Sequence, residues 1–391
     1  MKKLIILLLL SCSFTLTAQT TNVYEKVDEK IAQHSSSFGE NAIAELVEFI
    51  NSNFSNKTDK LRAVFTWITS NFAYDVENMF TIRFFSDTQE IIDEILKERK
   101  GVCTHFAYLF SEIANKLGIK TFVIAGYTKQ NDVIDDLPHA WNASFINSAW
   151  YLTDPTWGAG FIQNQRFVRR QNNDYFKAKP TDLIRSHKPF DPLWQFLNFP
   201  ISAQEFSDGR IEINKEKPFF NFADTLEVHK TLPRMEQLIS ANRRIRQNGV
   251  TSTLIRNHLQ ENTREIEHHR NQVAVDTFNS AVYLFNDGIH QLNGFILYRN
   301  RQFTPQKTET EIREMVKSAE NSFISARNEL HKILTTDTNL RNSINQLQIS
   351  INEAIREVNE QNKFVDRYFN TRRIFRRSLF YKYTWMGIPL N

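Results

Sequence analysis

Apolar positions recur with a helical period through most of the chain. Ala42, Leu46, Phe49 and Ile50 share one face, and residues 19–60 read as helices joined by polar connectors. Leu61, Val64, Phe65 and Ile68 predict another helix over 59–72. The clearest helix spans 102–117, where Phe106, Phe110, Ile113 and Leu117 follow at spacings of four, three and four. Gly118 stands where a helix stop belongs. The period then shortens. Residues 121–125 read as a buried strand, and His139–Phe145 with Trp150–Thr153 read as a hairpin around Asn147-Ser148.

After residue 215 the strand signals disappear. Asp224-x-x-Glu227 has the form of a capping box, and Pro233 and Gly249 punctuate short helices. Long helical patterns cover 251–300, 306–335 and 339–370. In the last, Leu340, Ile344, Leu347, Ile351, Ala354 and Val358 alternate spacings of four and three. About three heptads favour plain bundle core over a dimerising seam. Short connections make the bundle antiparallel. The fold class expected is α+β followed by an all-α helical bundle. The division is residues 1–18 as a signal peptide, 19–215 as the α+β domain with N-terminal helices, and 216–391 as the bundle.

Composition narrows the classes. The 391 residues are 41% hydrophobic and 24% charged, which excludes wholesale disorder. Eleven Gly and ten Pro leave few turn residues for an all-β protein. A net charge of +4 gives no reason to expect nucleic acid. Lys2 and Lys3, then the apolar Leu4–Leu10 and mostly small or hydroxylated residues to Ala18, read as an export signal cleaved after Ala18. The expectation is therefore an exported protein (periplasmic, cell-surface or secreted). Lipoprotein processing at Cys12 is the second reading. Of the two cysteines, Cys12 and Cys103, cleavage at Ala18 leaves only Cys103 in the mature chain.

Cys103 begins the 102–117 helix, where the helix dipole and unpaired N–H groups favour thiolate. A hairpin centred between Asn147 and Ser148 pairs residues whose numbers sum to 295. Asp154 then faces Trp141, and His139 lies one diagonal step away on the same face, within reach of a long side chain. Nucleophile, base and orienting carboxylate are the parts of covalent acyl transfer.

These residues carry a resemblance. Gly101-Val-Cys103 with the helix through Ile119, His139-Ala-Trp-Asn142, and Trp150-Tyr-Leu-Thr-Asp154-Pro-Thr-Trp-Gly-Ala-Gly160 resemble the transglutaminase-like superfamily, most of all its kyphoscoliosis-peptidase-type branch. Trp67-Ile-x-x-Asn71-x-x-Tyr74-Asp75 resembles the segment preceding the cysteine. Asp191-Pro192-x-Trp194-Gln195, Pro200-Ile201-Ser202 and Glu205-Phe206 resemble that branch's tail. The likeness covers roughly residues 40–210. It implies a papain-like transglutaminase core domain with Cys103, His139 and Asp154 as catalytic triad, acting on a peptide or carboxamide carbonyl of a protein or peptide substrate. Activities in the family range from transamidation and peptide hydrolysis to scaffolding, so a non-catalytic binding protein is the alternative. The backbone N–H of Cys103 and a side chain of the Trp67–Tyr74 segment are candidate oxyanion donors.

Trp67, Tyr74, Trp141 and Trp157 are expected to wall the substrate cleft. His105, two residues past Cys103, points to another helix face and reads as a surface residue. Adjacent His268 and His269 diverge by about 100° on a helix, so no metal and no cofactor is expected. The C-terminal stretch interleaves Arg367, Arg372, Arg373, Arg376, Arg377 and Lys382 with Tyr368, Phe369, Phe375, Phe380, Tyr381 and Trp385. It could contact an anionic membrane surface or polymer, or it could be a terminal helix whose aromatics pack on the bundle while its arginines are solvated.

Overall fold

The computed structural model describes residues 23–34, 41–81, 87–383 and 389–390. The expected signal at 1–18, Cys12 and Trp385 lie outside them. Contacts divide the chain into two compact units, one running to Leu259 and the other from Gln260.

In the first unit, helices α1 (Glu25–Gln33), α2 (Ala42–Asn53) and α3 (Lys57–Asn71) come first. They are followed by β1 (Ala73–Tyr74), α4 (Thr88–Glu98), β2 (Lys100–Gly101) and α5 (Cys103–Lys116). Their starts are chemically marked. The Asn56 and Asp87 side chains accept the Asp59 and Glu90 backbone N–H groups at 2.8 and 2.9 Å. Gly118, at φ +74°, ends α5 in the left-handed conformation that glycine adopts without strain. The apolar stripe of α5 (Phe106, Leu109, Phe110, Ile113) is buried against Ile50, Val64 and Ile68 of α2 and α3.

The sheet is antiparallel, in the order β5 (Ala149–Thr153), β4 (Val133–Ile146), β3 (Thr121–Gln130), β8 (His187–Pro189). Between β5 and β8 the chain forms α6 (Pro155–Ala159), the hairpin β6 (Gly160–Gln163) and β7 (Arg166–Arg169), and α7 (Pro180–Leu183). Asn147 and Ser148 turn the β4–β5 hairpin with φ of 50° and 61°, the two-residue turn that matches strand twist. Asn142 pairs with Thr153 and Ala143 with Leu152, the register expected from the sequence. β3 and β4 run longer than their apolar cores. Their extensions pair Tyr127 with Pro138 and, past an irregularity, Lys129 with Ile134 and Gln130 with Val133.

The boundary expected at residue 215 is not where the contacts divide. After α8 (Ala203–Ser207) come α9 (Phe222–Thr231) and α10 (Arg234–Asn248), and both pack into the first unit. Leu226 is buried with Trp141 and Leu193, and Ile245 with Tyr127 and Phe206. Helical periodicity shows that an apolar face exists but not which core receives it. Asn221 caps α9 by accepting the Asp224 N–H at 3.2 Å, in place of the expected Asp224–Glu227 box.

The helix α11 (Thr253–Asn300) continues into the second unit, which contains α12 (Glu309–His331) and α13 (Thr338–Asn370). The heptad residues Ile351, Ala354 and Val358 are buried with Phe295, Val316 and Phe323, so the seam forms bundle core. In the basic terminal stretch, Phe380 packs on Phe303 and Tyr368, and Arg376 lies over the Tyr368 and Phe369 rings. Ile374 and Phe375 are 80% and 56% exposed. Among the described residues no helix is long and apolar enough to cross a membrane.

Candidate active site

Cys103 is the first residue of α5. Val102 before it is extended, at φ −92° and ψ 178°, so the helix begins abruptly at the thiol. Asn142 of β4 donates to the Ala107 carbonyl at 2.9 Å and ties the middle of α5 to the strand that carries His139. This places the Cys103 thiol where the His139 side chain and the Ala140 backbone N–H both act on its charge.

His139 Nε2 lies 2.7 Å from Asp154 Oδ2. The ring's other nitrogen, Nδ1, is left for the thiol. Asp154 follows β5 and caps α6, its Oδ1 accepting the Thr156 and Trp157 N–H groups at 2.8 and 3.1 Å. All three side chains are sheltered, with Cys103 and His139 9% exposed and Asp154 fully buried.

The charges follow from this geometry. Burial alone pulls His139 down, but the charge and hydrogen bond of Asp154, then those of Cys103, push it up to about 10. Burial raises the Cys103 thiol, but the hydrogen bond and charge of His139 and the Ala140 N–H outweigh it and leave the thiol below its ordinary value. Burial also disfavours the Asp154 carboxylate, yet His139 and His187 together hold it far below the usual carboxyl range. These directions favour an ion pair of thiolate and imidazolium, steadied by the carboxylate.

His187 was not legible in the sequence. It opens β8, pairs with Thr128 and places Nε2 3.0 Å from the same Asp154 oxygen. No motif marks it, because it joins the site through strand pairing between distant segments. His139, Asp154 and His187 bring donor atoms within 4.8 Å of one another. Ligand atoms around a tetrahedral zinc at ~2.0–2.1 Å stand about 3.3 Å apart. The 2.7 and 3.0 Å separations here are those of hydrogen bonds, and a metal would have to displace both.

A cleft of about 1020 Å³ opens beside His139, the one triad residue in its lining, with Tyr74, Trp157, Phe80, Asp136 and Tyr175 among its walls. Two of the four expected cleft residues are there. Tyr74 arrives through the parallel pair β1–β2, in which it faces Gly101, two residues before the thiol. Its hydroxyl is held protonated by burial and by the charges of Cys103, Asp154 and Asp75. Trp67 and Trp141 do not wall the cleft. Trp67 is 2% exposed and packs on Phe72, and Trp141 is fully buried beneath the two histidines, 6.0 Å from the His139 ring and 5.2 Å from His187. A large apolar ring has more to gain in the core than at a wet wall. His105 is likewise not on the surface. It is 3% exposed, and its Nδ1 accepts the Val102 N–H at 3.2 Å, so the ring folds back over the helix start.

Comparison with known proteins places this site in a recognisable segment. Residues 44–155 match the model of the transglutaminase-like superfamily, a span that contains Cys103, His139 and Asp154. The chain is similar to kyphoscoliosis peptidase of Mus musculus, 29% identical over 197 residues, covering 48% of this chain and 29% of that protein. It is also similar to cytokinesis protein 3 of Saccharomyces cerevisiae, 26% identical over 196 residues, covering 45% of this chain and 22% of that one. The aligned region thus spans less than a third of either relative. A solved TGase structure superposes with a TM-score of 0.24 at 20% identity, covering 40% of this chain and 38% of that one.

Proposed function

Because this chain carries a transglutaminase-like domain of the kyphoscoliosis-peptidase type, we propose that it is a cysteine-dependent acyl-transfer enzyme, a peptidase or transamidase, with Cys103, His139 and Asp154 as its triad. The observation that carries the reading is a thiol at the N-terminus of α5 whose charge is governed by His139, which is itself hydrogen-bonded to the buried Asp154 at 2.7 Å. A purely structural cysteine would gain nothing from a protonated imidazole beside it.

In the reaction the Cys103 thiolate attacks the carbonyl carbon of a peptide or side-chain carboxamide. The oxyanion forms near the backbone N–H of Cys103 and the Tyr74 hydroxyl, which supply hydrogen bonds where the charge develops. As the C–N bond breaks, the His139 imidazolium gives its proton to the leaving amine, and a thioester remains. His139, now neutral, takes a proton from water or an incoming amine, which displaces the thiolate and regenerates the ion pair. Asp154 stays ionised throughout and keeps the imidazole ring in place. The cleft has room for an extended stretch of a protein or peptide substrate. The signal-like residues 1–18 add export to this reading.

The test is to incubate the purified protein and Cys103→Ala with a set of electrophilic amide probes and to read the adducts by mass spectrometry. A covalent adduct on Cys103 of the wild type, released by water or by an added amine, is expected. Absence of any Cys103-dependent adduct across the set would overturn the enzyme reading in favour of a binding scaffold.

A further inference from the structure

Asp154 serves two histidines. Its Oδ1 is filled by two backbone N–H groups, and its Oδ2 receives His139 at 2.7 Å and His187 at 3.0 Å. An ionised carboxylate offers about four acceptor positions, and here all four are taken.

His187 is built into this role. Its side chain is fully buried, ringed by Trp141, Trp157 and Tyr175 at 5.2, 4.6 and 6.0 Å, and its Nδ1 lies 2.8 Å from the Ser186 hydroxyl. The charged groups around it are Asp154 of the β5–α6 junction, His139 of β4 and, further off, Asp135 of β4. Burial and the neighbouring imidazolium keep His187 neutral, against the pull of Asp154. A neutral imidazole has one N–H. An ionised carboxylate only accepts, so that proton sits on Nε2. Nδ1 is then the acceptor, and the Ser186 O–H donates to it.

We propose that His187, fixed by Ser186, is a positioning residue for the acyl transfer: its Nε2–H pins Asp154 Oδ2 against His139 and tempers the carboxylate's stabilisation of the imidazolium. This rests on the Cys103–His139 reading above. A carboxylate on Nε2 of a buried imidazolium stabilises the charged ring and so makes it a weaker acid at Nδ1, the side that faces the leaving amine, and general acids work best when their proton is available near the working pH. A second donor on the same oxygen shares its charge and tempers that stabilisation. It also stops the carboxylate from turning away when His139 becomes neutral in mid-reaction.

The experiment is histidine-selective ¹⁵N NMR of the full chain at pH 7, with a pH titration, on wild type, His187→Leu, His187→Gln and Ser186→Ala. Wild type should show His139 doubly protonated and His187 neutral with its proton on Nε2. In His187→Leu the His139 Nε2–H signal should move downfield, and its deprotonation should rise by roughly one pH unit, the effect of one hydrogen bond to a charged group. His187→Gln keeps a donor and should return most of the shift. Ser186→Ala should give a smaller shift in the same direction. A folded His187→Leu with an unchanged His139 signal overturns the proposal. If His187→Leu does not fold, an unchanged Ser186→Ala, or a wild-type His187 that is charged or protonated on Nδ1, overturns it equally. A wild-type His139 that is neutral at pH 7 and insensitive to Cys103→Ala instead overturns the triad reading itself, so the two failures are distinct.

Discussion

Replacing Arg244 with Met tests whether α10 belongs to the first unit. The Arg244 Nε and Nη2 donate to the two Asp191 oxygens at 2.8 and 2.6 Å, and the side chains are only 9% and 6% exposed. Asp191 Oδ1 also accepts the Leu193 N–H at 3.0 Å, so the carboxylate anchors the turn that follows β8. Met keeps much of the alkyl packing and removes the charge. Asp191 is then a buried carboxylate that has lost its hydrogen-bonded counter-charge, which costs about 3–5 kcal/mol. In a unit of this size each kcal/mol moves the midpoint by ~2–4 °C, so the loss should be roughly 6–20 °C. Five of the six tryptophans precede residue 260, so fluorescence-monitored unfolding reports this unit. Adding Asp191→Asn removes the stranded charge while keeping a side-chain oxygen for the turn, and should recover more than half of the loss. A single-variant loss below about 1 kcal/mol, the range of an exposed pair, would refute the buried bidentate pair and with it the placement of α10.

Asp154→Asn withdraws the strongest influence holding His139 up at about 10. Burial is then opposed by Cys103 alone, so the imidazolium is less stable, and iodoacetamide alkylation of Cys103 at pH 7 should slow about threefold, as read by mass spectrometry; an unchanged rate would exclude the ion pair. Asp154 is depressed in the fold, so its contribution to stability is complete above its unfolded value of ~3.9 and is lost as pH falls through the folded one. The stability gap between wild type and Asp154→Asn in urea titrations should therefore narrow as pH drops from about 4 toward 2, and a constant gap would contradict the shift. A Cβ at Gly126 would stand 2.3 Å from the Lys188 carbonyl oxygen and 2.4 Å from Trp141 Cη2. Gly126→Ala should then destabilise by at least ~1–3 kcal/mol in urea unfolding, and a change within about 0.5 kcal/mol would show that the sheet can yield there.

What could be read along the chain was local. The 102–117 helix, its start at Cys103 and its stop at Gly118 follow from apolar spacing and one glycine, and the structure has α5 over Cys103–Lys116. The Asn147-Ser148 turn set the register of β4 and β5, because a two-residue hairpin leaves no freedom in how its strands pair, and that register brings His139 beside Asp154. The long helices after residue 250 were likewise legible from period alone.

Only the tertiary structure decided the rest, because it depends on which distant segments meet. His187 joins Asp154 through the pairing of β8 with β3, across nearly sixty residues of chain, and nothing in its own neighbourhood marks it. Tyr74 reaches the cleft through the β1–β2 pair, while Trp67 and Trp141, equally aromatic and equally near the motifs, are taken into the core. The apolar faces of α9 and α10 signal burial without naming a partner, and only contacts such as Arg244 with Asp191 assign those helices to the first unit. Periodicity encodes that a side is buried. The identity of the surface that buries it is a property of the assembled chain, where long-range pairing, packing volume and charge compensation are settled together.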